Sequence, residues 1–236
     1  ERPLYRAEVR LEGAAGVAVR EDRFGFRVFK GEGTRFTING KPVLLRGEAN
    51  NAQFPLTGHP PMDKETWLRI FGLLKDFGLN HFRCHAWTPP HAAFDAADEL
   101  GIYIQAELPN GEASVATDSP AGLQWRRMEF DRILETYGNH PSFVMMSGGN
   151  EAKTPQIDLL KELAQHGKKA DPRRLYATIS NPEASGIKDE VPGDDFAVAH
   201  GSANGRRRME SFINRDAPET MGDYRATMAG RPVPQI

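Results

Sequence analysis

The sequence predicts an α/β fold: a (β/α)8 TIM barrel, truncated on its C-terminal side and preceded by the last strands of a β-sandwich domain. Three observations carry this. After about residue 40, short runs of β-formers alternate with runs of helical period, the signature of a parallel sheet wrapped by helices. Polar and aromatic residues recur where the strand runs end, the place at which barrels assemble their chemistry. No Gly-x-Gly-x-x-Gly or Walker sequence follows any strand, which argues against a nucleotide-binding doubly wound sheet.

The elements follow in order. Residues 4–11, 17–20 and 24–29 mix polar residues with β-formers and are parted by Gly13, Gly16 and Gly25, so they read as short strands. They fit either the end of a preceding sandwich, assigned to residues 1–30, or a β decoration of the domain that follows, assigned to 31–236. Asn39-Gly40 is a type I′ hairpin signal. Residues 43–45 are then expected to be the first barrel strand. Trp67, Ile70, Phe71, Leu74 and Phe77 share one helical stripe over 63–77, with Asp63 placed to cap it and Gly78 to end it. Strands are expected at 80–87, 102–108, 142–147, 175–180 and 196–200, with a further strand beginning at 232. Helices are expected at 90–100, 123–137, 156–170 and 219–229. The barrel is expected to stop within its seventh strand, roughly 200 residues after the hairpin, against about 250 for a complete barrel.

Composition narrows the classes. The chain has 236 residues, 39% hydrophobic and 26% charged, with a net charge of −2. That balance gives no electrostatic case for nucleic acid, and no apolar run approaches the length of a membrane span. Cys84 is the single cysteine, so no internal disulfide can form. The His-Glu-x-x-His helix, the cysteine cluster and the Gly-x-Ser-x-Gly elbow are all missing from the sequence. Neither a metal nor a cofactor is expected.

The candidate site is organised by residues 139–151, Asn-His-Pro-Ser-Phe-Val-Met-Met-Ser-Gly-Gly-Asn-Glu. A short apolar run, bounded by Pro141 and Gly148-Gly149, delivers Asn150 and Glu151 to the end of the fourth strand. The first strand ends in Glu48 and Asn50. The second carries Arg83, His85 and Trp87, expected on one face at period two. The third ends with Glu107 and the sixth with His200. Such a set suits a sugar pocket, in which polar groups grip hydroxyls and an aromatic covers a ring face. Each residue also has a structural reading. Arg83 could be a buried ion-pair partner of Glu107 or Glu151, His85 and His200 satisfied core histidines, Trp87 loop packing, and Glu107 an inward-facing structural acid.

The chain resembles family 2 glycoside hydrolases, the β-galactosidases, β-glucuronidases and β-mannosidases. The resemblance rests on Phe24-Gly-Phe-Arg27, Phe36-Thr-Ile-Asn-Gly-Lys-Pro-Val-Leu-Leu-Arg-Gly47, Lys75-Asp-Phe-Gly-Leu-Asn-His-Phe-Arg83, Asp98-Glu-Leu-Gly-Ile102, Asn139-His-Pro-Ser142 and Gly149-Asn-Glu151, and it fades after residue 152. It implies a preceding immunoglobulin-like sandwich and a retaining β-glycosidase acting on terminal β-linked sugars. Glu151 would be the general acid/base and Asn150 a contact to the sugar 2-hydroxyl. Arg83 would orient the carboxylates, and His85 would bind substrate. The carbohydrate partner would be an oligosaccharide or a polysaccharide side chain, and the setting periplasmic or secreted. Met146-Ser-Gly-Gly stands where the family often has Trp-Ser-x-Gly. Glu48-Ala-Asn-Asn51 replaces a common His, Cys84-His85-Ala-Trp87 departs after Arg83, and Thr57-Gly-His-Pro-Pro61 differs from the common galactosidases. All four bear on the sugar-facing end. The family's nucleophile, a Glu at the end of strand seven, would lie beyond Ile236, so the 236 residues alone are expected to be inactive. The rival readings are a non-catalytic carbohydrate-binding barrel and a different retaining glycanase of the same fold.

Overall fold

A computed structural model describes residues 4–109, 119–152, 154–182, 186, 187, 190–198 and 230–236. The expected helix over 219–229 and His200 lie outside the described residues.

The chain begins with an antiparallel hairpin, β1 (Tyr5–Gly13) and β2 (Gly16–Phe24), paired along its length from Tyr5↔Phe24 to Gly13↔Gly16. Residues 25–28 are not strand, contrary to the expected strand over 24–29. Within them, Arg27 ties this link to the next domain. Its guanidinium donates to the carbonyls of Pro141 (3.0 Å), Phe143 (2.6 Å) and Arg173. Burial, with Arg174 nearby, pulls its pKa down to about 10.

A three-stranded antiparallel sheet follows: β3 (Phe29–Glu32), β4 (Arg35–Ile38) and β5 (Lys41–Val43). Asn39 and Gly40 both have positive φ, 50° and 74°, as the type I′ turn between β4 and β5 requires.

The barrel sheet is parallel, in the order β10-β9-β8-β7-β6. It comprises β6 (Gly47–Asn50), β7 (His81–Cys84), β8 (Tyr103–Glu107), β9 (Phe143–Ser147) and β10 (Leu175–Ala177). It continues past β10, because Asp195 N–H donates to Tyr176 O and Asn181 N–H to Val198 O, both at 2.9 Å. A parallel bridge then joins Ala197 to Gln235, where the seventh strand is expected to begin. The connecting helices are α1 (Lys64–Asp76), α2 (His91–Leu100), α3 (Pro120–Tyr137) and α4 (Thr154–Ala170). Their ends follow the chemistry of the sequence. Asp63 caps α1 by accepting from Thr66 N–H at 2.8 Å, Ser119 caps α3 by accepting from Gly122 N–H at 3.1 Å, and Gly101 closes α2 in the left-handed conformation.

One element sits elsewhere than expected. Residues 43–45 are not the first barrel strand: Val43 closes β5, and Val43 and Leu45 pack beneath the barrel. The first parallel strand is β6, whose Gly-Glu-Ala-Asn sequence has no apolar alternation to mark it.

Alternation along the strands sorts residues into two apolar layers. Phe82, Cys84, Ile104, Ala106, Phe143, Met146 and Tyr176 face the helices and pack with Trp67, Phe71, Phe94 and Leu160. Tyr103, Val144, Met145, Leu175, Ala177, Phe196 and Val198 face the barrel axis. Val144 and Met145 both point inward because the β8–β9 register shifts at Ile104/Gln105. The β3–β5 sheet closes this inner layer from below. Phe29 and Phe36 stack at 5.6 Å, and Phe29 meets Tyr103 at 5.8 Å. The barrel interior thus has an apolar floor, with polar residues above it.

Candidate active site

Above the floor lies a buried polar layer. Ser147 and Ser180 share a hydrogen bond at 3.0 Å, and Gln105 Nε2 donates to Ser180 Oγ at 3.3 Å. Glu107 stands over them with no exposed surface. Its carboxylate accepts from Arg83 Nε (2.8 Å), Ser180 Oγ (2.5 Å), Ala86 N–H (2.7 Å) and Gln105 Nε2 (3.3 Å). A buried carboxylate this well supplied with donors is held in one place.

The second arm of Arg83 donates from Nη2 to Asn150 Oδ1 at 2.6 Å. One planar fork therefore fixes an acid on β8 and an amide beyond β9. Of the two ion-pair partners open to Arg83, Glu107 is the one it takes. Asn150 is buried and bridges in parallel to Ser180.

Glu151 follows in the left-handed region at φ 54°. Its N–H donates to Ser180 O at 3.0 Å, and its carboxylate accepts from the Asn181 side-chain amide. The Gly148-Gly149 pair lets this turn form: a Cβ on Gly148 would lie 2.4 Å from Thr178 O, and Gly149 has φ 120°.

Glu48 and Asn50 share a face of β6, and Asn50 Nδ2 donates to Glu48 at 3.3 Å. The Asn50 carbonyl accepts from His85 N–H (2.9 Å) and from Trp87 Nε1 (2.7 Å). His85 is half-buried at the top of β7. Trp87 does not continue the Arg83/His85 face. β7 ends at Cys84, and Ala86 at φ 57° breaks the alternation. Trp87 instead packs edge-on against Phe54 at 6.3 Å. Cys84 is buried in the helix-facing layer, where desolvation, with Glu107 adding to it, pushes its thiol well above the ordinary range.

Among the described residues, four that are not glycine have positive φ just after barrel strands: Ala52, Ala86, Glu151 and Asn181. Each such conformation costs on the order of 1–3 kcal/mol and persists only where the surroundings enforce it. Their clustering at one end of the barrel marks that end as the functional one.

Sequence reasoning did not single out Gln105, Ser147, Ser180, Asn181 or His81 as part of this site. Ser180 and Asn181 carried a usable signal, since they follow the fifth strand run as Asn150 and Glu151 follow the fourth. His81 lies inside the barrel beneath Arg83, 2% exposed, with Nε2 unpartnered among the described residues. Burial, and then the charge of Arg83, pull its pKa down to about 3, so it is a neutral imidazole. Among the described residues, no group of three or more His, Cys, Asp or Glu is placed to hold a metal, and no helix is long and apolar enough to cross a membrane.

A parallel barrel sheet with acids, amides and a guanidinium fork at its C-terminal strand ends is the architecture of a TIM-barrel enzyme domain. The chain belongs to glycosyl hydrolases family 2: residues 29–195 match the TIM barrel domain of that family. A Formosa agariphila protein provisionally named a β-glucuronidase is 30% identical over 234 residues, covering 94% of this chain and 22% of the relative. Among solved structures, a Parabacteroides merdae β-glucuronidase superposes with a TM-score of 0.70 at 24% identity, over 83% of this chain and 25% of that one. An Eisenbergiella tayi β-galacturonidase bound to galacturonate has the same TM-score at 21% identity, over 83% of this chain and 35% of that one. The chain thus spans about a quarter to a third of these structures and about a fifth of the curated relative.

Proposed function

We propose that the protein is a retaining β-glycosidase acting on terminal β-linked sugars, with a β-glucuronide as the favoured substrate and Glu151 as general acid/base. The observation that carries this reading is the Asn150–Glu151 pair at the exit of β9, held by Arg83 from one side and Asn181 from the other. The preference for a glucuronide rests on the names of the relatives, most of which are β-glucuronidases.

In this reading Glu151 donates its proton to the glycosidic oxygen as the bond to the anomeric carbon breaks. A second carboxylate attacks that carbon from the opposite face. Retaining enzymes hold the two carboxyl groups about 5–5.5 Å apart. Glu107 is poorly suited to the second role, since four donors occupy its oxygens and it has no exposed surface. The nucleophile is instead assigned to the end of the seventh strand, beyond Ile236. Water then attacks the glycosyl-enzyme while Glu151, now ionised, takes its proton. Asn150 meets the 2-hydroxyl. His85, Trp87, Glu48 and Asn50 line the sugar, and Arg83 and Glu107 hold the frame. Residues 1–30 belong in this reading to a preceding immunoglobulin-like sandwich. The exposed apolar side chains Tyr5, Val9 and Leu11, on one face of β1, are consistent with that.

The test is Glu151→Gln in the full-length protein, assayed on a panel of aryl β-glycosides with product stereochemistry read by NMR. Turnover should fall about 10²–10⁴-fold on substrates with poor leaving groups while binding persists. An unchanged rate, or inversion at the anomeric carbon, rejects the assignment.

A further inference from the structure

Asn181, on the fifth strand's exit, donates to Glu151, and it has an unusual complement of contacts. It is 2% exposed. Its Nδ2 donates to the Glu151 carboxylate, its main-chain N–H donates to Val198 O at 2.9 Å, and its Oδ1 is buried with no partner among the described residues. A buried amide oxygen left unpaired normally carries an uncompensated desolvation cost. Its backbone is left-handed at φ 52°, like that of Glu151 at φ 54°, and Ser180 O accepts from Glu151 N–H at 3.0 Å. Two strained turning points are thus locked side by side, with the amide of one against the acid of the other.

We infer that Asn181 is a positioning residue that serves both protonation states of Glu151, an inference that rests on Glu151 being the acid/base. A primary amide presents two donors on nitrogen and an acceptor on oxygen. When Glu151 is ionised, Nδ2 donates to it. When Glu151 carries its proton, rotation of the amide by about 180° brings the unpaired Oδ1 round to accept from the carboxylic O–H. Those are the two states the reaction alternates between. In the first half, the nucleophile's carboxylate oxygen bonds to C1 as the C1–O bond to the aglycone breaks, the electron pair of the broken bond goes to the leaving oxygen, and that oxygen takes the Glu151 proton. In the second half, water's oxygen bonds to C1, the nucleophile's carboxylate departs with the electrons of its ester bond, and water's proton returns to Glu151. Asn181 keeps the carboxyl group in one place through both halves without itself gaining or losing a proton.

The experiment compares Asn181→Gly and Asn181→Asp in the full-length protein, alone and combined with Glu151→Gln. Both replacements tolerate the left-handed backbone. Glycine removes the amide, whereas aspartate keeps the size but loses the donor. The substrates are a dinitrophenyl glycoside, which leaves without acid help, and an alkyl or methylumbelliferyl glycoside, which does not. The expected result is a roughly ten- to hundred-fold fall in kcat/KM on the poor leaving group, the scale of a hydrogen bond to a charged group, with little change for the dinitrophenyl substrate. In the Glu151→Gln background the same substitutions should have little further effect. Equal losses on both substrates, or losses that persist in that background, would show a merely structural role and overturn the inference. If Glu151→Gln alone leaves the poor-leaving-group rate intact, the acid/base assignment itself is what has failed.

Discussion

Arg83→Lys keeps the charge and should nonetheless be damaging. Arg83 meets two partners in different directions through one rigid plane, Glu107 at 2.8 Å from Nε and Asn150 at 2.6 Å from Nη2. A lysine ammonium has no such fork and reaches one of them well at most. Hydrogen bonds involving a charged group contribute about 1.5–3 kcal/mol each. Losing one of the two, while the charge stays near Glu107, should cost about that much stability. Removing the cation altogether in Arg83→Ala should cost about 3–5 kcal/mol, because the fully buried Glu107 then lacks its counter-charge. In the lysine variant the released group is expected to be Asn150, since the carboxylate is the stronger attractor. Turnover should therefore fall more than the loss of stability alone explains. Thermal inactivation and kcat would be measured on the same full-length preparations at a temperature where both proteins are folded. A lysine variant that keeps wild-type kcat and wild-type inactivation temperature would refute the reasoning.

Two further perturbations probe the interior below the site. His81 is buried neutral with a pKa of about 3 against an ordinary 6.5. Between those values the unfolded chain binds a proton that the native state refuses, so stability falls as pH drops from 6.5 towards 3, by up to roughly 5 kcal/mol. Thermal midpoints across pH 4–7 should show a shallower acid loss in His81→Gln, and identical slopes would count against the buried neutral imidazole. Gly47→Ala should destabilise by about 1–3 kcal/mol, because its new methyl would lie 2.5 Å from His81 Nδ1 and 2.8 Å from His81 O. Gly72→Ala, on helix α1 with nothing within 4 Å, should stabilise by up to about 1 kcal/mol and serves as the control in the same melting experiment.

What could be read from the sequence was whatever is encoded locally. Residues 139–151 announce themselves because Pro141 and two glycines bracket an apolar run and leave Asn150 and Glu151 at its end. Helix α1 is legible from its stripe and from Asp63. The first barrel strand was misplaced for a physical reason. The apolar residues Val43 and Leu45 serve the floor, while β6 faces a polar layer and begins with a glycine that leaves room for His81. The turn that diverts Trp87 depends on Ala86 adopting φ 57°, and alanine gives no warning of that. The network joining Ser180 to Glu107, 73 residues away in sequence, exists only once the sheet has closed.

The apolar floor carries a consequence for traffic. Phe29, Phe36, Tyr103, Met145 and Phe196 plug the barrel from beneath, and Arg27 pins the link beside the plug to the carbonyls of Pro141, Phe143 and Arg173. Among the described residues this layer closes the lower end of the barrel, so a molecule entering at the strand ends leaves on the same side. A polymer cannot be threaded down the axis past such a floor. Under the proposed chemistry the released sugar and the remaining chain therefore leave on the side from which the substrate came. Under the proposed chemistry, product departure and substrate arrival therefore compete for the same few ångströms, and a free sugar in excess should slow the enzyme simply by occupying the way in.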